Sequence, residues 1–341
     1  MHDSSRQSDN GAQQSLFSTV CASGRFEPHV HPEEALSVLH NCETQGRMNV
    51  ITCKDPEIEI FLDDVGGLSM GDVAFSDKAG LLAPVIPVIP RGMFSLPSST
   101  VPYEVVGITI NDTLTKRVKL KCGYYHVPEG STVDPTILKA PILEGKRVIL
   151  FSTGQDVLIE TLWWERHDTY LFDVLAGMGF YAITGMNFSL FEGECPFAHA
   201  LNIQKCLRYS EEIDRRGIWS IPHVYARNLY QRERWKNLLN ENKGVGLVTI
   251  NSQLQRSRVG DMSVVFDTAR FLLEHTRVTI MFQGSVRGMP QDLRLHIGTR
   301  IYAATSAPCK KAVIRKDKSA AEYIADYSRT FFGMSAKTPS T

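Results

Sequence analysis

The stretch that decides the fold is L-F-D-V-L-A-G-M-G-F-Y-A-I, residues 171–183. Residues 171–178 have the apolar spacing of a helix, Gly179 interrupts it, and residues 180–183 form a short apolar run. A run too short for a helix, with a helix before it, is typical of a strand in a parallel sheet whose two faces are covered by helices. The sequence therefore predicts an α/β protein built from strand–helix units.

The same unit recurs on both sides of this stretch. A strand is predicted at Arg147–Ser152 before it, and helix–strand pairs follow it along the chain. The predicted helices are 200–216, 232–242 and 261–275, their strands are 218–221, 245–250 and 278–282, and a last strand is predicted at 300–304. Counted from Val85, and with the β-branched run at 104–110, the chain offers about eight candidate strands, the number that closes a (β/α)8 barrel.

The predicted fold is thus a (β/α)8-type barrel with an irregular N-terminal extension. The barrel is expected to be distorted or incomplete, because several strands between residues 85 and 150 lack an obvious helix between them. An open, doubly wound sheet would use the same units. Along the chain we predict a disordered polar tail at 1–14, an α+β segment at 15–83, the barrel at 84–305 and a basic helical segment at 306–341.

The composition is that of an ordinary globular protein. Lys plus Arg and Asp plus Glu both number 37, so the net charge gives no argument for a nucleic acid or a membrane as partner. The seven cysteines are scattered, and none forms the C-x-x-C pair of a zinc or iron–sulfur site. We expect no metal, no cofactor and no membrane contact. Free thiols and a polar start without a signal peptide predict a cytoplasmic protein.

Polar side chains follow five successive predicted strands at the point where each strand ends. In a parallel barrel these points meet at one mouth, where small-molecule or nucleotide pockets form. The catalytic candidates are Asp156, as a nucleophile or general base, and His223, as its acid/base partner. The candidate substrate-binding residues are Gln155, Asn187, Ser189, Tyr225, Asn251, Gln253, Gln283, Gly284 and Ser285. Each candidate also has a purely structural interpretation: Asp156 as a helix N-cap, His223 as a structural histidine, and the others as strand-exit residues.

Two stretches of local positive charge, 227–236 and 310–318, make DNA or RNA a second candidate ligand. The nucleic-acid-binding candidates are Arg227, Arg232, Arg234, Lys310, Lys311, Arg315 and Lys316. A run of charges is also the ordinary solvated face of a helix.

At 182–189 and 219–224 the chain resembles a domain-of-unknown-function family of bacterial, plasmid and phage proteins. In that family one strand ends in an Asp-Phe-Ser-like triplet and a later strand carries Ile-Pro; here the triplet begins with Asn187. The layout of residues 145–305 is also similar to the barrel of tRNA-guanine transglycosylases and their DNA-modifying relatives. Those enzymes use an aspartate nucleophile at a strand end to exchange a base on a ribose or deoxyribose, and Asp156 is the matching position. Their zinc-binding cysteine group is absent.

These observations favour two functional hypotheses. The first is an enzyme, transglycosylase- or hydrolase-like, that acts on a nucleobase, nucleoside or nucleic-acid substrate at the C-terminal ends of the barrel strands. The second is a non-catalytic protein of a bacterial or mobile-element system that binds nucleic acid or another protein.

Overall fold

The computed structural model describes residues 62–332, except residues 63, 77, 79, 81, 117, 120–124, 127–130, 191–195 and 253–261. In this part of the chain the strands are β1 (Val85–Pro87), β2 (Val105–Thr109), β3 (Val118–Lys119), β4 (Tyr125–His126), β5 (Arg147–Phe151), β6 (Ala182–Thr184), β7 (Trp219–Ile221), β8 (Leu247–Asn251), β9 (Thr279–Gln283) and β10 (Ile301–Thr305). The α-helices are α1 (Ile110–Thr113), α2 (Asp156–Trp164), α3 (Leu171–Met178), α4 (Pro196–Arg215), α5 (Leu229–Glu241), α6 (Met262–His275), α7 (Gln291–Arg294), α8 (Ala307–Arg315) and α9 (Ala320–Phe332).

Eight parallel strands form a closed ring. One sheet has the order β1, β10, β9, β8, and the other has the order β2, β5, β6, β7. Single bridges join the two sheets at both seams, where Val88 pairs with Gly107 and His223 pairs with Thr249. At the second seam the Val224 amide donates to the Thr249 carbonyl at 2.8 Å. The predicted (β/α)8 barrel is confirmed, and these narrow seams close it.

The alternation of strands and helices is irregular between β2 and β6, as the sequence predicted. The helix after β2 is only four residues long, and the antiparallel pair of β3 and β4 forms an excursion from the barrel. Two helices, α2 and α3, connect β5 to β6. Helix α3 is followed by Gly179, whose φ of 83° is a left-handed conformation that a residue with a Cβ rarely adopts. The glycine therefore lets the chain turn directly from α3 into β6.

Apolar side chains fill the inside of the ring. Ile86, Phe151, Ile221 and Met281 belong to one buried cluster. The Phe151 ring lies against Gly107 of β2, where an added Cβ would be 2.3 Å from the Phe151 Cε2 atom. Gly107 is required here because any side chain would collide with the ring that fills the barrel. Outward-facing strand residues pack against the helices in two further clusters.

Residues 64–68, before β1, contact the helices and the loops that follow them. The Arg166 guanidinium pairs with Asp64, and Arg234 of α5 donates to the Leu68 carbonyl at 2.8 Å. These contacts attach the end of the predicted 15–83 segment to the wall of the barrel.

The chain after β10 forms α8 and α9, which pack against each other. The second of these helices also contacts β1. Both lie in the range for which the sequence predicted a basic helical segment. Within the described ranges, no helix is long and apolar enough to span a membrane.

Candidate active site

The strand ends bring predicted site residues to one mouth of the barrel. Asp156 follows β5, Ser189 follows β6, His223 follows β7, Asn251 ends β8 and Gln283 ends β9. Because these strands are parallel, their C-terminal ends lie at the same end of the ring.

One hydrogen bond crosses this mouth. Thr153 Oγ1 donates to Gln283 Oε1 at 2.8 Å, and both residues are buried. In the ring order β1, β2, β5, β6, β7, β8, β9, β10, the strands β5 and β9 stand opposite each other. The bond therefore spans the barrel and forms a polar layer next to the apolar side chains of Phe151 and Met281.

His223 lies on the β7 side of the mouth and is 4% exposed. Its Nδ1 atom is 3.1 Å from Thr249 Oγ1, and the same hydroxyl donates to the Pro222 carbonyl at 3.5 Å. A hydroxyl that donates to Pro222 accepts from Nδ1, which leaves the lone pair of the ring on Nε2. Burial lowers the pKa of His223 to about 4, so the ring is neutral at pH 7.

The Nε2 atoms of His223 and Gln283 are buried at the mouth and have no hydrogen-bond partner in the described part of the chain. A buried polar group left without a partner costs about 1–3 kcal/mol, and native proteins satisfy nearly all such groups. The amide nitrogen of Gln283 donates and Nε2 of His223 accepts. Together they offer one donor and one acceptor to a ligand.

Asp156 is the first residue of α2, and Gln155 occupies the N-cap position. Its carboxylate accepts a hydrogen bond from the Ser189 hydroxyl on the loop after β6. Burial raises the pKa of Asp156, and the Ser189 hydrogen bond opposes that rise. The carboxylate is therefore bound to the neighbouring loop at the mouth, and the N-cap interpretation does not describe it.

Helix α4 holds the loop that carries Ser189. Asn202 Nδ2 donates to the Ser189 carbonyl at 2.8 Å, and the Phe188 ring lies 4.9 Å from Lys205 Nζ. Lys205 in turn forms a 2.8 Å ion pair with Glu160 of α2, and neither side chain is more than 3% exposed. A buried pair of charges thus joins the helix of Asp156 to the helix that anchors Ser189.

The other predicted substrate-binding residues lie around the same end of the barrel. Asn187 is buried, and its backbone N–H donates to the Ser152 carbonyl at 3.0 Å. The Tyr225 hydroxyl donates to the Leu190 carbonyl at 3.3 Å. Gln155, Gly284 and Ser285 lie in the loops after β5 and β9, and Gln253 lies outside the described residues.

The two basic stretches differ in their surroundings. Arg232 donates to Thr268 Oγ1 at 3.2 Å, and Arg234 donates to the Leu68 carbonyl, so both guanidinium groups attach α5 to neighbouring segments. Arg227 is half-buried. The other four candidates, Lys310, Lys311, Arg315 and Lys316, are exposed on α8 or directly after it.

Three side chains of this site were not singled out as candidates from the sequence: Thr153, Thr249 and Lys205. Thr153 directly follows a predicted strand, and that position could have indicated it. Thr249 faces inward because side chains alternate along a strand, so a correct register could have found it. Lys205 lies on a helix rich in charges, and no sequence signal separates it from its solvated neighbours.

Fold and site together define a (β/α)8 barrel with a polar, hydrogen-bonding mouth at the C-terminal ends of its strands. No protein-family model and no curated protein matches the chain. It is similar to a solved tryptophan synthase from M. tuberculosis, with 12% identity over 68% of this chain and 86% of that one, at a TM-score of 0.39. A tryptophan synthase complex from Pyrococcus furiosus gives 13% identity over 76% of this chain and 100% of that one, at a TM-score of 0.42. An Aquifex aeolicus structure gives 9% identity over 75% and 92%, at 0.36.

The similarity to these solved structures gives no evidence about a substrate of this chain. The barrel that the resemblance to the transglycosylases implied is present in the strand pairing. Neither the uncharacterised family nor the transglycosylases receive further support from the comparisons.

Proposed function

We propose that the chain is an enzyme that acts on a neutral nucleobase or nucleoside at the C-terminal mouth of its barrel, in a hydrolase- or transglycosylase-type reaction. The observation that carries the proposal is the pair of unpartnered, buried nitrogen atoms on His223 and Gln283. Their strands, β7 and β9, flank β8. Since neighbouring strands are about 4.8 Å apart, the two side chains start about 10 Å from each other.

The chemistry of this pair favours a neutral ligand. Neither His223, whose pKa is lowered by burial, nor Gln283 carries a charge at pH 7. One acceptor and one donor are the complement of the edge of a nucleobase, which presents ring and exocyclic N–H and C=O groups.

Asp156 supplies the reacting carboxylate in this proposal. Its raised pKa makes it a stronger proton acceptor than an ordinary aspartate. At a nucleoside it acts either as nucleophile on the sugar carbon, whose bond to the nucleobase breaks as the bond to the carboxylate forms, or as the general base for a water molecule that attacks this carbon; in both cases the nucleobase leaves. His223 accepts a hydrogen bond at neutral pH and does not serve as an imidazolium acid, because its pKa lies well below 7. This narrows the acid/base role expected from the sequence.

A thermal-shift screen against nucleobases, nucleosides and nucleotides tests the proposal. A ligand at a hundred times its dissociation constant stabilises the folded state by about 2.7 kcal/mol. We expect a base or nucleoside to raise the melting temperature, and Gln283→Met to remove most of that shift. The matched control is Gln291→Met, which changes an exposed glutamine of α7. If no base or nucleoside stabilises the chain, the proposed function is wrong.

A further inference from the structure

We propose that the base enters the mouth as part of a nucleic acid whose phosphate backbone binds the exposed cations of α8. This inference rests on the proposed function, because it names the form in which that substrate arrives. The α8 surface consists of Lys310, Lys311 and Lys316. All three side chains are exposed.

The lysines of the α8 surface are not paired with carboxylates. Within the described ranges, none of the three forms an ion pair, and each carboxylate of the α8–α9 hairpin is hydrogen-bonded to another side chain. Asp317 accepts from Tyr323, Glu322 accepts from Ser319, and Asp326 accepts from Lys318. Three cations thus remain available to an anionic partner.

The structure distinguishes the α8 surface from the basic stretch 227–236, although the two look equivalent in the sequence. The guanidinium groups of Arg232 and Arg234 are hydrogen-bonded to Thr268 and to the Leu68 carbonyl. Using them to bind a phosphate would break contacts that hold α5 in place. Among the described residues, the lysines of the α8 surface form no such hydrogen bond, although Lys311 Nζ lies 6.0 Å from the centroid of the Tyr323 ring.

Its position also suits a substrate that reaches into the barrel. Helix α8 begins at Ala307, directly after β10, so its first turn lies at the mouth. Lys310 and Lys311 lie about 5–6 Å along the helix axis from that start, and Lys316 lies about 9 Å beyond Lys310. A strand that places one base in the mouth carries its neighbouring phosphates past this rim. Ile314, which is 78% exposed between the lysines, offers an apolar contact to an unpaired base.

Binding of labelled single-stranded DNA and RNA oligonucleotides, measured by fluorescence anisotropy at 50 and 200 mM salt, tests the inference. The variant is Lys310→Gln/Lys311→Gln/Lys316→Gln. The charge-matched control is Lys116→Gln/Lys139→Gln/Lys243→Gln, which changes three exposed lysines on other parts of the surface. Thermal melts of both proteins verify that they are folded.

We expect the unaltered chain to bind an oligonucleotide with an affinity that falls as salt rises. The α8 variant should bind at least about tenfold more weakly and with a salt slope shallower by about two, since each lost single-strand phosphate contact removes about 0.7. The control should bind like the unaltered chain. Equal loss in both variants, or no binding at 50 mM salt, overturns the inference. Binding to anionic phospholipid vesicles that is not displaced by oligonucleotides also overturns the inference.

Free nucleosides separate this inference from the proposed function. If nucleosides stabilise the chain but oligonucleotides do not bind, the role proposed for the α8 surface is wrong, and the proposed site at the mouth is retained. If oligonucleotides bind through α8 but no base or nucleoside stabilises the chain, the surface is supported and the proposed function fails.

Discussion

Thr153 and Gln283 are joined by a 2.8 Å hydrogen bond that crosses the barrel from β5 to the opposite strand β9. The bond occupies the amide oxygen of Gln283 and thereby fixes the direction of its amide nitrogen. A donor held in this way needs no rearrangement when a ligand arrives, which is the property expected of a binding site.

Thr153→Val should destabilise the fold by about 1–3 kcal/mol. The substitution keeps the shape of the side chain but removes the hydroxyl, so that Gln283 Oε1 is left buried without its donor. Urea unfolding measures the free energy of unfolding. Thr330→Val, at an exposed position of α9, is the control, and an equal effect of the two substitutions would show that the bond contributes nothing.

His223 should make the stability depend on pH between about 6.5 and about 4. The unfolded chain takes up a proton near the usual histidine pKa of 6.5, whereas the folded chain resists it down to about 4. Stability is therefore complete above about pH 6.5 and falls as the pH is lowered, by about 3 kcal/mol over the whole window. His223→Gln should flatten that part of the curve of unfolding free energy against pH. His167→Gln, on an exposed loop, should leave it unchanged, and a curve equally steep in both variants contradicts the burial of a neutral ring.

Lys205→Met should cost about 3–5 kcal/mol, because it leaves the Glu160 carboxylate buried without its partner. Glu160→Leu/Lys205→Met should restore most of the loss, since it removes both charges. Chemical unfolding of the two proteins measures the difference. A double variant that is no more stable than the single one would mean that the loss does not come from the unpaired Glu160 charge.

Ser189→Ala should raise the pKa of Asp156, because the lost hydrogen bond is the contact that opposes the effect of burial. In a reaction that needs the carboxylate ionised, the acidic limb of the pH–rate profile should move to higher pH. Ser99→Ala, at an exposed serine, should not move it. A shift to lower pH would refute the role given to Ser189.

The strand–helix order could be predicted from the sequence because it depends on local patterns. The apolar runs predicted at 147–152, 245–250 and 278–282 coincide with β5, β8 and β9 to within two residues. The polar residues at their ends then follow from the parallel arrangement alone. Asp156, His223 and Gln283 could be proposed in this way without knowledge of any contact.

The contacts themselves depend on how the ring closes. Thr153 and Gln283 are 130 positions apart, and they meet because two single-bridge seams complete the barrel. Lys205 and Glu160 have the sequence surroundings of solvated helical charges, and only the packing of α4 on α2 buries them. Likewise, the arginines of α5 and the lysines of α8 look alike in the sequence. In the structure the arginines are hydrogen-bonded to neighbouring segments, whereas the lysines are exposed.

The most direct test of the central claim is the release of free base from nucleosides and from single-stranded oligonucleotides, followed by chromatography. We expect release by the unaltered chain and by Asp168→Asn, which changes an exposed aspartate, and none by folded Asp156→Asn. Release that survives Asp156→Asn would remove the carboxylate from the reaction. Failure of the unaltered chain to release any base, although a base stabilises it, would make the mouth a binding site without catalysis.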